Sequence, residues 1–281
     1  MRLDSPLLRG IARGLGVHCV LLLLTFGGSP NAWGQTETWS FRDAFSTERS
    51  VQNPVLDRRG EAVWYLLRTT TSEGTVEARS WLRDGKYEPL LESGDGLFDA
   101  PVNGWAFRAA PPLAPIAGIV TADYDVGLTF RSGEMLVAPG PDHAVVIGWR
   151  SPVAGKLEIE GEFEHAQNCC GLNSQVAWYV ERGPAPDPRH GFVATSLASG
   201  TSDFGSPSQR GRFKIEDQPV EPGDFVYFIV DAVADGTSTP HHGDATRFDV
   251  TLTVPDATRP PTPTFEQDVL PILARSCFEC H

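Results

Sequence analysis

The sequence predicts an all-β protein: an antiparallel β-sandwich, jelly-roll-like, followed by a proline-rich linker and one helical segment. Three observations predict it. Apolar residues alternate with polar ones at a period of two, which gives each strand one packed and one wet face. The chain carries 28 glycines and 23 prolines, many gathered in turn clusters between those runs. No amphipathic helix of useful length lies between residues 35 and 254, so strand must follow strand without crossover helices. A length of 281 residues allows one large domain and the start of another. With 36 acidic residues against 23 basic ones the formal charge is −13. That balance repels nucleic acid and anionic membrane surfaces, and it excludes a DNA or RNA partner.

Residues 1–34 read as a secretory signal peptide. Arg2, Arg9 and Arg13 form a positive start, residues 17–26 are largely apolar, and Ala32, Trp33 and Gly34 precede an abrupt polar shift at Gln35. The apolar run is too short for a membrane anchor, and no later stretch of the sequence could span a bilayer as a helix. Cleavage after Gly34 discards Cys19 with the leader and removes three arginines and one aspartate, taking the formal charge from −13 to −15. The expected location is outside the cytoplasm, in the periplasm or at the cell surface.

The sandwich is expected over residues 35–254. In residues 156–163, Leu157, Ile159 and Phe163 alternate with Glu158, Glu160 and Glu162. In residues 247–254, Phe248, Val250, Leu252 and Val254 face inward on the same logic. Residues 225–230 are apolar on both faces, which predicts a central strand covered on both sides. Residues 62–67, 143–149 and 175–180 complete the clearer strands. Turn residues separate them, notably Ser151-Pro152 and Glu221-Pro222-Gly223-Asp224. Four prolines within residues 255–263 then predict a semi-rigid linker that cannot pair in a sheet. Beyond it the period changes to 3.6. Thr264 and Gln267 form a capping box, and Phe265, Val269, Leu270, Ile272 and Leu273 mark a helical face that Pro271 kinks.

The sequence ends Cys277-Phe-Glu-Cys280-His281. Cys-x-x-Cys-His is the attachment signature of c-type haem. Two thiols three positions apart on a helical turn reach the two vinyl groups of one haem, and the adjacent imidazole lies under the iron as axial ligand. A redox dithiol would sit near a βαβ pattern, and a zinc site would need a second pair of ligands; neither is present in the sequence.

Residues 265–281 resemble the opening of the Planctomycete-type cytochrome c domain, in which a Phe-x-x-Asp-Val-x-Pro-Ile-Leu helix runs into Cys-x-x-Cys-His. The resemblance covers 17 residues, Pro271 among them. It implies one covalent haem c on Cys277 and Cys280, with His281 as proximal ligand of the iron. Residues 133–254 more loosely resemble β-sandwich modules found in such proteins, through Pro139-Gly140, residues 146–152 and residues 222–231. A complete cytochrome domain needs tens of residues after its histidine, and the only methionines are Met1 and Met135. The expectation is therefore an incomplete cytochrome domain, its distal ligand absent from this sequence.

Other residues carry two readings each. Cys169 and Cys170 are adjacent, and export favours a vicinal disulfide over reduced thiols or a bond to another chain. His165 with these thiols makes a weaker zinc set. Asp231, Asp235, Asp244 and Asp249 are either oxygen ligands for calcium or an acidic, solvated loop. Trp39, Trp64, Trp81 and Trp105 are candidates for stacking on sugar rings, whereas Trp149 and Trp178 lie in alternating strands and read as core. Hydrolase motifs are missing: there is no Gly-x-Ser-x-Gly, His-Glu-x-x-His or phosphate loop.

The function expected is an exported c-type cytochrome that binds haem and transfers electrons to a redox partner protein, the sandwich acting as spacer or docking module. The alternative is a secreted module that binds carbohydrate or another surface component, its haem motif non-functional; an enzyme is not expected. One outcome is testable on the exported sandwich alone. Its intact mass should be about two hydrogens lighter than the reduced form, with the link inside the peptide holding Cys169 and Cys170. Two freely alkylated thiols would favour the solvated-loop reading.

Overall fold

A computed structural model describes residues 34–45, 52–70, 86–95, 100–107, 115–125, 129–140, 143–166, 175–203, 210–232 and 244–261. The described residues are almost entirely strand. In chain order the first strands are β1 (Gln35–Ser40), β2 (Val55–Leu56), β3 (Ala62–Thr69), β4 (Tyr87–Pro89), β5 (Glu92–Asp95), β6 (Val102–Ala106), β7 (Ile116–Val120), β8 (Tyr124–Asp125) and β9 (Thr129–Phe130). Then follow β10 (Met135–Ala138), β11 (Val145–Arg150), β12 (Gly155–His165), β13 (Gln175–Gly183), β14 (Thr195–Asp203), β15 (Gly211–Val220), β16 (Phe225–Asp231) and β17 (Thr246–Ala257). The one helical element among the described residues is a short 3-10 turn, Arg42–Ala44.

Two antiparallel sheets carry the fold. One runs β15-β12-β17-β10-β7-β6-β5, with β1 also paired to β17; the other runs β14-β13-β16-β11-β3-β2, with β4 paired to β3. Within these, β10 to β17 divide into β15-β12-β17-β10 and β14-β13-β16-β11. That is the strand order of a double Greek-key roll, in which successive strands pass from one sheet to the other at every step but β13 to β14. The nine earlier strands are additions. β5, β6 and β7 extend the first sheet beyond β10, β2, β3 and β4 extend the second beyond β11, and β8 and β9 form a separate hairpin.

The alternating strands bury the faces that their sequences predict. Leu157, Ile159 and Phe163 of β12 are buried, as are Phe248, Val250, Leu252 and Val254 of β17. They meet Trp149, Trp178, Val180 and Phe228 from the opposite sheet in one core. Phe163 stacks on Trp178 at 5.3 Å and on Phe248 at 4.9 Å, in both cases with ring planes within 19° of parallel. Trp178 fits only because its neighbours lack side chains: a methyl on Gly211 would lie 2.2 Å from its indole nitrogen, and one on Gly200 would lie 2.7 Å from its ring.

β16 is buried along its whole length, as its two-faced apolar pattern predicts. Val226, Phe228 and Val230 face the main core, while Phe225, Tyr227 and Ile229 join a second cluster with Leu67, Tyr87 and Val146 on the other side of the sheet. Phe192 stacks over Tyr227, whose hydroxyl donates to the carbonyl of Pro184 at 2.5 Å. Burial drives the Tyr227 phenol well above its ordinary pKa. A third cluster lies around Ile116, Val120 and Leu136, capped by Phe130 of the small hairpin.

The structure moves the boundary between sandwich and linker. β17 does not stop at Val254 but continues through Pro255 and Asp256 to Ala257. Pro255 is accommodated because the β1–β17 register shifts there, between Gln35 and Glu37. At such an irregularity the missing N–H removes no ladder bond, and the Pro255 carbonyl accepts the hydroxyl of Thr36 at 3.0 Å. Thr258 and Ala154 then exchange two backbone bonds, 2.8 and 2.9 Å long. The predicted helix from Thr264 lies outside the described residues. Among those that are described, no helix is long and apolar enough to cross a membrane.

The packing makes Phe228, 1% exposed and inside the main core, a sensitive position. Phe228→Asp in a fragment spanning residues 35–261 should cost several kcal/mol and abolish cooperative thermal unfolding, because a carboxylate there has no water and no cation. A soluble variant that still melts cooperatively would contradict the assignment of β16 as the central strand.

Candidate functional site

A cleft of about 700 Å³ opens where the edge strands β1 and β2 of the two sheets fail to close over the core. Its apolar floor is Trp39, Val55 and Trp64, flanked by Ala44, Phe45 and Leu56. Alternation on β1 turns Trp39 inward, where it packs on Trp149 at 5.2 Å; Phe41 follows it inward and packs on Trp64 at 5.0 Å. Asn53 sets the opposite wall. Its side-chain amide accepts from the N–H of Leu66 at 3.0 Å and donates to the Leu66 carbonyl at 2.8 Å, standing in for a ladder neighbour just ahead of β2.

The rim is charged. Asp57 closes a tight turn by accepting from the N–H groups of Arg59 and Glu61, at 2.8 and 3.0 Å, and Gly60 completes that turn at φ +79°. The turn presents Arg58 and Arg59. Arg59 reaches Glu37 at 3.2 Å, and the 88%-exposed Arg58 lies 3.5 Å from Asp43. Leu56, 42% exposed, is the apolar residue most open to solvent at this edge.

One end of the cleft is where the chain leaves the sandwich. Register pairs Gln35 with Ala257, so the first residue of β1 and the last of β17 lie side by side. Arg259, two residues on, grips Glu37 with two bonds of 2.7 and 2.5 Å and Glu61 with a third of 2.7 Å. These carboxylates, Glu37 first, hold the Arg259 guanidinium above its ordinary pKa. The fork-to-fork geometry fixes direction as well as distance.

A second, shallower groove of about 590 Å³ runs over the outer face of the first sheet. Glu160 and Glu162 of β12, Arg212 and Lys214 of β15, and Asp249 of β17 line it. Arg212 pairs with Glu162 at 2.9 Å and Arg42 with Asp249 at 2.6 Å. Burial pushes the Asp249 carboxyl up, against the pull of Arg42.

The sequence-derived candidates divide. Cys277, Cys280 and His281 lie outside the described residues, as do Cys169, Cys170, Asp235 and Trp81. Asp231 ends β16 in one sheet, whereas Asp249 lies on the outer face of β17 in the other. The structure does not bring those two together, and among the described residues no three His, Cys, Asp or Glu side chains assemble as a metal site. His165 is buried at the end of β12. Trp149 and Trp178 are core, as expected. Trp39 and Trp64, expected at the surface, are 6% and 1% exposed, and Trp105 also packs against the main core. The sequence hides this because Trp39 is the lone apolar residue of β1 and residues 62–67 of β3 are apolar without alternation, so the inward face becomes clear only from their pairing.

No known family model matches the sequence, and no curated protein matches it. Solved structures give loose likenesses. A carbohydrate-binding module specific for non-crystalline cellulose covers 61% of this chain and 99% of its own, at 10% identity and a TM-score of 0.29. A family 29 carbohydrate-binding module covers 62% and 96%, at 14% identity and a TM-score of 0.23. Eiger TNF from S. frugiperda covers 42% and 69%, at 12% identity and a TM-score of 0.24. Superpositions this loose assign no ligand.

The tryptophans give a test. Trp64→Ala should lower stability by about 3–5 kcal/mol in urea unfolding, as expected when a buried aromatic ring leaves a cavity. A loss below about 1 kcal/mol, the ordinary range for a surface residue, would show that Trp64 is not part of the core.

Proposed function

We propose that this chain is an exported c-type haem protein whose sandwich is a platform for a haem-bearing segment. The observation that carries the reading is Cys277-x-x-Cys280-His281 itself. Its donor set fits haem c: two thiols at thioether spacing and one imidazole beside them. When bound, the haem supplies a one-electron iron couple. Cys277 and Cys280 would hold it covalently, and His281 would be its proximal ligand. The reading is supported by β1 starting at Gln35, the first residue after the proposed leader. A mature chain cut there keeps every strand among the described residues. The likeness to the Planctomycete-type cytochrome c domain belongs to this proposal.

The sandwich serves this function mechanically. β17 delivers the chain to one edge, and Arg259 holds it there against Glu37 and Glu61. The second reading is a glycan-binding module: Trp39 and Trp64 floor the open cleft, although only 6% and 1% exposed, and Trp105 packs partly buried against the core. Calcium is left with Asp231, Asp235 and Asp244, of which Asp231 and Asp244 are buried.

Co-expression with a cytochrome c maturation system tests the proposal. The chain should carry one haem that survives denaturing electrophoresis and stains for peroxidase activity. Cys277→Ala combined with Cys280→Ala should abolish the stain while the sandwich still folds, and His281→Ala should sharply reduce holoprotein. A wild-type chain that matures without covalent haem would overturn the proposal.

A further inference from the structure

We propose that the cleft between β1 and β2 takes an uncharged oligosaccharide at its mouth. The seat rests on the glycan-binding reading and does not depend on haem attachment. Charge selects the ligand first. Glu37 is held by Arg59 and Arg259. Asp57 turns a carboxylate oxygen to the N–H groups of Arg59 and Glu61, and Asp43 faces Arg58 across 3.5 Å. With the charges of the lining matched in this way, an ionic ligand has to displace a partner already in place. An anionic one also approaches a chain of net charge −13. An uncharged ligand meets neither obstacle.

Polarity narrows the class further. The floor residues Trp39 and Trp64 are 6% and 1% exposed, so a wholly apolar ligand finds little surface to cover. The open part of the lining is polar instead: Asp43, Gln52 and Arg58 are all exposed. Among the described residues, Leu56 is the one large apolar side chain of the lining that is also exposed. The Asp43 carboxylate has acceptor sites beyond the one turned to Arg58, and Arg58 has donors beyond the one turned to Asp43. Gln52 adds an amide donor and acceptor. An ion pair this exposed contributes little to stability, so parting it to admit hydroxyl groups costs little. A sugar has the complementary profile. Its hydroxyls donate to a carboxylate and accept from a guanidinium, while its C–H face lies on an aliphatic side chain such as Leu56.

Size and rigidity agree. About 700 Å³ lies within the ordinary range of small-molecule sites. A protein partner fits worse, because a stable interface covers about 800 Å² on each side around an apolar centre. Here the exposed apolar part is a single leucine. The walls are held before any ligand arrives, by the Asn53 bonds to Leu66 on one side and by the Asp57 turn at the rim. A recess already in shape loses little freedom on binding.

Isothermal titration calorimetry of the full chain tests the seat. Cellohexaose, xylohexaose and mannohexaose are the uncharged probes; hexagalacturonate and the chitosan hexamer are the charged ones. At least one uncharged hexaose should bind with a Kd of about 1 mM or lower, and neither charged hexamer should. Asp43→Ala and Arg58→Met should each weaken that binding about tenfold or more. Both side chains are exposed, so the urea midpoints should stay unchanged. Arg212→Met, in the groove on the outer face of the first sheet, should leave binding as it is. Binding indifferent to Asp43→Ala and Arg58→Met overturns the cleft as the seat while the glycan reading stands, and its loss in Arg212→Met would move the site to the outer groove. Tighter binding of either charged hexamer overturns the choice of an uncharged ligand. If no saccharide binds, the seat and the glycan reading fall together.

Discussion

The register of β17 is the constraint on which the rest of this structure depends. Its twelve residues pair with β12 on one side and with β10 and then β1 on the other. Every second side chain from Phe248 to Val254 enters the core that both sheets share. A slip of one residue would turn Phe248, Val250, Leu252 and Val254 to water and bring Asp249, Thr251 and Thr253 inward. The same register places Ala257 beside Gln35 and brings Arg259 within reach of Glu37. One strand thus fixes the core, the place of β1 and the exit of the chain.

Sequence made some of this legible. β12 and β17 alternate cleanly, and β16 is apolar throughout, so both its faces had to be covered. Shorter strands gave weaker signals. β7, Ile116–Val120, is buried on both faces and contains a glycine, and β5 is almost wholly polar. Neither alternates. The prolines misled at 255–257 because a register shift, invisible in the local sequence, lets Pro255 sit in a strand. Arg259 and Glu37 are 222 residues apart, and no local pattern could have joined them. Asp231 and Asp249 mislead in the opposite direction: near in sequence, they end on different sheets because β16 and β17 belong to different layers of the roll.

The charge of the chain also gains meaning from the fold. Outward-facing carboxylates on β12 and β17 meet arginines from β15, β17 and the 3-10 turn. Arg212 meets Glu162, Arg42 meets Asp249, and Arg247 bridges Glu134 and Glu164. That face is charged and largely self-paired. The edge between β1 and β2 differs, with an aromatic floor, an exposed leucine and the chain exit in one place. Any function that depends on the segment after Arg259 must work from that edge.

A double-mutant cycle on Glu37→Gln and Arg259→Met measures the exit clasp directly, by urea unfolding of the chain. The account predicts a coupling of about 1 kcal/mol or more, since both side chains are mostly buried and joined by two charge-assisted bonds. It also predicts that either single variant unpairs Thr258 from Ala154, read as faster exchange at those amides. Additive effects within ~0.3–0.5 kcal/mol, with the Thr258 amide unchanged, would contradict it. The end of β17 would then be held by its ladder alone, and the ion pair would fix nothing.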